Sequence, residues 1–130
     1  MQAAEVPDLL KATAGRKSAY VILNRSSGSA SDPETPGKIQ SILERSGWSV
    51  TVECVSAGTD LKQLARQAAE SGFRRIVAAG GDGTLRAVAE ALRGSDAEMA
   101  ILPVGTLNHF ARDLQSPMEL EEAVEVAGSG

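Results

Sequence analysis

The chain has 130 residues, 42% of them apolar and 23% charged, with a formal net charge of −4, which is the make-up of one ordinary globular domain. Lys and Arg are scattered, so the basic stripe of a nucleic-acid binder is absent; no stretch reaches the roughly 18 apolar residues of a membrane span, and the amino terminus lacks a signal pattern. The single Cys54 excludes an intrachain disulfide and fits a reducing compartment, so a cytoplasmic protein is expected.

In chain order, residues 1–17 read as a loose leader ending in the polar turn Thr13 to Lys17. Ala19 to Leu23 is a continuous apolar run of strand length, as expected for a strand covered on both faces. It stops at Asn24, and a long Ser- and Gly-rich loop through Pro33 and Pro36 follows. Between Lys38 and Ser46, Ile39, Ile42 and Leu43 recur at helical spacing, and Gly47 is placed to end that helix in a left-handed conformation. Trp48, Val50, Val52 and Cys54 alternate with Ser49, Thr51 and Glu53, which predicts a strand with one drier face at a sheet edge. Trp48 and Cys54 are read as core residues of that face.

Thr59 or Asp60 can cap a second helix, whose Leu61, Leu64, Ala65 and Ala68 share a face before Gly72 closes it. Ile76 to Ala79 is the third strand. Leu85, Val88, Ala89 and Leu92 line a third helix ended by Gly94, and Met99 to Leu102 is a short fourth strand. Thr106 to Leu114 and Glu119 to Val126 are weaker helix candidates, and Glu119, Glu121, Glu122 and Glu125 read as a solvated face. This alternation predicts an α/β fold: an open, largely parallel sheet with helices on both faces. Ligands bind such sheets at the carboxyl ends of the strands. Asn24, the turn after the third strand and the segment after the fourth would all meet on that rim.

The turn is Gly80-Gly81-Asp82-Gly83-Thr84. Glycines leading into a helix expose backbone N–H groups at its positive end, where phosphate is favoured. A Walker loop is excluded, because the only Gly-Lys pair, Gly37-Lys38, is followed by Ile39 and lacks its first glycine. A dinucleotide fingerprint is excluded by Arg86, which stands where the third glycine belongs. An aspartate inside an anion cradle needs a cation or an acceptor hydroxyl between itself and a phosphate, so the turn points to phosphoryl transfer. Asp82 could deprotonate the acceptor, hold a metal or cap the helix.

Together with Leu102-Pro103-Val104-Gly105-Thr106-Leu107-Asn108-His109-Phe110-Ala111, the turn resembles the signature of the diacylglycerol kinase family of lipid kinases. The turn alone is shared with NAD kinases and phosphofructokinases. The resemblance runs from about Ala19 to the end and implies an NAD kinase/diacylglycerol kinase-like N-terminal domain that binds ATP with Mg²⁺. It further implies that a β-rich second domain outside this chain shapes the lipid site and supplies metal-linked carboxylates, so that the chain alone is expected to be nearly inactive. Asp82 is then catalytic on the phosphate and metal side, with a role as base left open, and no metal ligand is assigned within the chain. Gly80, Gly81, Gly83, Thr84, Leu85 and Arg86 would contact the nucleotide, as would Thr106, with Asn108 bracing the turn or the nucleotide. Arg86 replaces the family's usual Asn and reads equally as added charge or as plain surface.

Asn24-Arg25-Ser26-Ser27-Gly28 is similar to the family's Asn-Pro-x-Ser-Gly, with Arg25 in place of Pro. Asn24, Ser27 and Gly28 are candidates for the ribose or phosphates, and Ser56 falls where the family has a nucleotide-contacting Thr. Pro103 and Phe110 read as structural. His109 could act as acid or base, although the family varies at that place. The expected partners are a lipid reached through the second domain, by transient contact with the inner membrane, and no nucleic acid. The oligomeric state is open, a homodimer included. The expected function is transfer of the γ-phosphoryl group of ATP to a diacylglycerol-like hydroxyl; the alternatives are an NAD-kinase-like phosphotransferase or a nucleotide-binding module without catalysis.

Overall fold

The computed structural model describes residues 15–24, 33–56, 58–103 and 124–129. Strands β1 (Gly15–Asn24), β2 (Ser49–Val55), β3 (Phe73–Gly80) and β4 (Glu98–Pro103) alternate with helices α1 (Thr35–Arg45), α2 (Leu61–Glu70) and α3 (Asp82–Ala91). The strands form one sheet in the order β2-β1-β3-β4, and all three pairings are parallel. The apolar runs occupy the two central strands, where Ala19 to Leu23 and Ile76 to Ala79 are buried. The alternating strand, β2, is at the edge, as its pattern predicted.

Two apolar clusters lie on the two faces. One gathers Val21, Leu23 and Val77 with Ile39, Ile42 and Leu43 of α1. The other gathers Tyr20, Ile22 and Ile76 with Leu64 and Ala68 of α2 and Leu85 and Val88 of α3. Odd and even positions of one strand serve opposite faces because successive side chains alternate across the sheet. The fold is therefore the α/β sheet with helices on both faces that the pattern predicted.

Helix ends follow local chemistry. The Asp60 carboxylate accepts from the Gln63 amide at 3.1 Å, capping α2. Gly47, Gly72 and Gly94 follow the three helices at φ of 94°, 97° and 80°, a region that side chains other than glycine rarely enter.

Several boundaries differ from expectation. α1 begins at Thr35, so Pro36 sits in its first turn and not in the preceding loop; a first-turn N–H has no intrahelical partner, and Pro loses nothing there. β1 reaches back to Gly15 through a register irregularity, with Lys17 at φ 56°. β3 starts at Phe73 and carries Arg74 and Arg75 into the sheet. Trp48 is buried as predicted, but Cys54 is exposed. The correction has a simple cause: β2 has a neighbour on one side only, and at its end Val55, pointing to the opposite face, is the buried residue. The helix expected at 106–114 lies outside the described residues; of the one expected at 119–126, residues 124–127 are helical.

The amino end of the sheet is closed by a clamp. Trp48 Nε1 donates to the Gly128 carbonyl at 2.8 Å. Arg75 donates through Nη1 to the carbonyls of Ala127 and Ser129 at 2.7 and 2.8 Å and pairs with Glu98 at 2.6 Å. Its guanidinium lies 4.5 Å from the Trp48 ring centre, a cation–π contact in a largely desolvated place. Residues 124–129 are thereby fastened beside α1, with Val124 and Ala127 in the core.

Candidate functional site at the carboxyl rim

Because every described strand runs the same way, their carboxyl ends share one edge. Asn24 pairs with Val55 on one side. On the other side Leu23 pairs with Ala79, which sets Asn24 beside Gly80, and Gly80 pairs with Pro103. Asn24, Ser56 and the glycine turn, three separate sequence candidates, therefore meet on this rim.

The turn is tighter than a loop before a helix. Gly81 is the N-cap of α3, in extended backbone, and Asp82, Gly83 and Thr84 already belong to the helix. Leu85 is the residue whose amide returns to the Gly81 carbonyl, at 3.1 Å. The N–H groups of the three residues before it have no acceptor within the helix and carry its positive dipole end. A glycine cap has no side chain to turn back over them. At Gly83, which is exposed, an added Cβ would meet nothing within 4 Å among the described residues, so no described residue covers that side of the helix end.

Gly80 is the opposite case. A Cβ there would stand 2.8 Å from Thr84 Oγ1, 2.9 Å from Thr84 Cβ and 3.2 Å from Asn24 Cβ. Asn24 Nδ2 donates to Thr84 Oγ1 at 3.1 Å, and Thr84 is 4% exposed. The hydroxyl expected to face a phosphate thus accepts a hydrogen bond from β1. The contact that joins the first and third strand ends is a side-chain pair 60 residues apart in sequence, and no local signal announces it.

The other predicted residues are placed as follows. Asp82 is half-buried in the first turn, and Ser56 is exposed just past β2. Leu85 points into the core with 5% exposure, so it can support the turn but has little surface for a ligand. Arg86 is exposed on the side of α3 that faces β4, over a groove of about 370 Å³ that also borders Glu90, Met99 and Ile101. Ser27, Gly28, Thr106, Asn108 and His109 lie outside the described residues.

A larger cleft of about 640 Å³ lies at the other end of the sheet, beside Glu70, Gly72, Arg93 and Gly94. The carboxyl ends of α2 and α3 border it, and helix ends of that polarity disfavour anions. The glycine turn, by contrast, lies at an amino-terminal helix end, whose polarity favours anions.

Comparison with known proteins agrees with this fold. Residues 18–130 match the family model of the diacylglycerol kinase catalytic domain. The chain belongs to that family. A protein named "Probable lipid kinase YegS-like" from Pseudomonas savastanoi pv. phaseolicola is 42% identical over 84 residues, covering 63% of this chain and 28% of that relative. A Pseudomonas aeruginosa protein of the same name is 53% identical over 62 residues, or 46% of this chain and 20% of the relative. The matched stretch is thus less than a third of these relatives' length. The crystal structure of "a putative diacylglycerol kinase" from Bacillus anthracis str. Sterne superposes with a TM-score of 0.69 over 86% of this chain and 39% of that one, at 24% identity, which shows a shared fold. Among the described residues, no helix is long and apolar enough to cross a membrane.

Proposed function

We propose that this chain is the nucleotide-binding part of an ATP- and Mg²⁺-dependent lipid kinase, which passes the γ-phosphoryl group of ATP to the hydroxyl of a diacylglycerol-like lipid. One observation carries the reading: α3 opens through a glycine cap onto the carboxyl rim of a parallel sheet, and among the described residues nothing stands within 4 Å of a Cβ added at Gly83. Phosphoryl transfer asks mainly for positioning and charge neutralisation. The amides of the first turn of α3 would hold the phosphates, and Asn24, Ser27, Gly28, Ser56, Thr106 and Asn108 would surround the remainder of the nucleotide. Arg86, beyond the turn, could add positive charge.

The residues present fit a magnesium ion held chiefly by the phosphates. The turn has one carboxylate, Asp82, at the helix end, and Mg²⁺ is commonly bound through one or two carboxylates and substrate phosphates. When bound, the ion would neutralise phosphate charge. Asp82 would hold it directly or through water, or take the proton of the attacking hydroxyl. The lipid would be reached through a second domain outside this chain, in a cytoplasmic protein in transient contact with the inner membrane. Family membership supports a lipid acceptor over NAD.

The test uses the full-length protein with labelled ATP, comparing diacylglycerol and NAD as acceptors. Diacylglycerol is expected to be phosphorylated, and Asp82→Ala to reduce the rate at least about a hundredfold with an unchanged melting temperature. Label passing to NAD alone, ATP binding without turnover, or full activity of Asp82→Ala would overturn the assignment.

A further inference from the structure

We propose that Asn24 is a positioning residue for the nucleotide: it holds Thr84, and through Thr84 the first turn of α3, in the form that presents the turn's amides to a phosphate. The inference rests on the nucleotide reading above and deepens it. Asn24 is the last residue of β1, bounded by Val55 on one flank and by Gly80 on the other. Its amide donates to Thr84 Oγ1 at 3.1 Å, and the two side chains close over Gly80 so tightly that a Cβ there would lie 2.8 to 3.2 Å from them. Thr84 is 4% exposed, so its hydroxyl is held inward against β1, and the bond fixes the start of α3 to the strand end. Strand end, glycine and helix start are thereby joined by one hydrogen bond and close packing.

The polarity of this contact bears on its purpose. Asn donates while adding no charge. An aspartate could keep a hydrogen bond by accepting from the Thr84 hydroxyl, and its charge near the helix amino terminus would favour the empty helix. The same charge would repel a phosphate. A brace serving only the fold would tolerate Asn24→Asp; a brace serving a phosphate site would not.

The experiment measures three things on the full-length protein: the melting temperature, deuterium exchange at the amides of Gly81 to Thr84, and Kd for two probes, ATP with Mg²⁺ and inorganic tripolyphosphate. Asn24→Ala is expected to speed exchange in the turn and to raise both Kd values about tenfold, the equivalent of one buried hydrogen bond. Thr84→Val added to it should cost little more, since both remove the same contact. Asn24→Asp should melt no lower than wild type and still raise both Kd values about tenfold. The proposal is overturned if Asn24→Ala leaves exchange in the turn unchanged, if the Asn24→Ala and Thr84→Val losses simply add, or if Asn24→Asp binds both probes like wild type. Wild-type protein that binds neither probe overturns the nucleotide reading and this inference with it, whereas unchanged exchange in Asn24→Ala removes the brace alone.

Discussion

At the amino end of the sheet, Trp48 and Arg75 direct their donors to partners within the protein: the Gly128, Ala127 and Ser129 carbonyls and the Glu98 carboxylate. At the carboxyl end, α3 begins on a glycine with no capping side chain, and no described residue stands within 4 Å of a Cβ added at Gly83. Both ends are polar, and both are built on the same strands. The difference is in the ends: the amino end of the sheet is sealed by side-chain donors, whereas α3 starts on a glycine with no side-chain cap. At the carboxyl end Asn24 and Thr84 share an internal bond, which we propose shapes what the turn presents.

This contrast can be broken first at the sealed end. Trp48→Ala removes a ring that is 3% exposed, together with a buried hydrogen bond and the face on which Arg75 rests. It should destabilise the domain by about 3–5 kcal/mol, read as a lower urea midpoint, and leave the ATP affinity of the folded fraction unchanged. A weakened ATP affinity would mean that the two ends are coupled. Gly80→Ala is the counterpart at the rim. Its Cβ would collide with Thr84 and Asn24, costing about 1–3 kcal/mol and, unlike Trp48→Ala, weakening ATP binding as well. Equal stability loss with intact binding would show that the rim tolerates distortion.

The smallest effect sharpens the sealed end by pH. The Arg75 guanidinium holds the Glu98 carboxyl below its ordinary value of 4.5. A depressed folded pKa gives stability that is complete above the unfolded value and is lost as pH falls through the folded one. Thermal melts should therefore decline as pH drops below about 4.5, with a shallower decline in Glu98→Gln. Glu98 is 44% exposed and partly screened, so the change is small. Identical pH profiles for the two proteins would remove the pair from the account.

The same contrast separates what was legible in the sequence from what was not. Apolar runs such as Ala19 to Leu23, the edge alternation of β2, the Asp60 cap and the glycines after each helix are local signals, and each is found where its pattern placed it. The apolar pattern starts β3 only at Ile76 and leaves Arg75 out, and the partners that hold Arg75 in the sheet are distant: Glu98 lies 23 residues away, and the carbonyls of Ala127 and Ser129 lie 52 and 54 away. Cys54 follows the alternation of its strand yet is exposed, since periodicity assigns a face and not its depth. At the site, the glycine turn and its place on the rim could be read from residue types. The helical state of Asp82 to Thr84 and the inward hydroxyl of Thr84 could not, because a contact with Asn24, far off in sequence, decides the latter.

Gly83→Ala tests the central claim most directly. The position has room for a Cβ and no positive φ, so the change should leave the fold intact and stabilise α3 by about 0.5 kcal/mol. If the space at the helix end belongs to a phosphate, the added methyl group must lower ATP affinity while the melting temperature rises. A variant that melts higher and binds ATP as tightly as wild type would contradict the account.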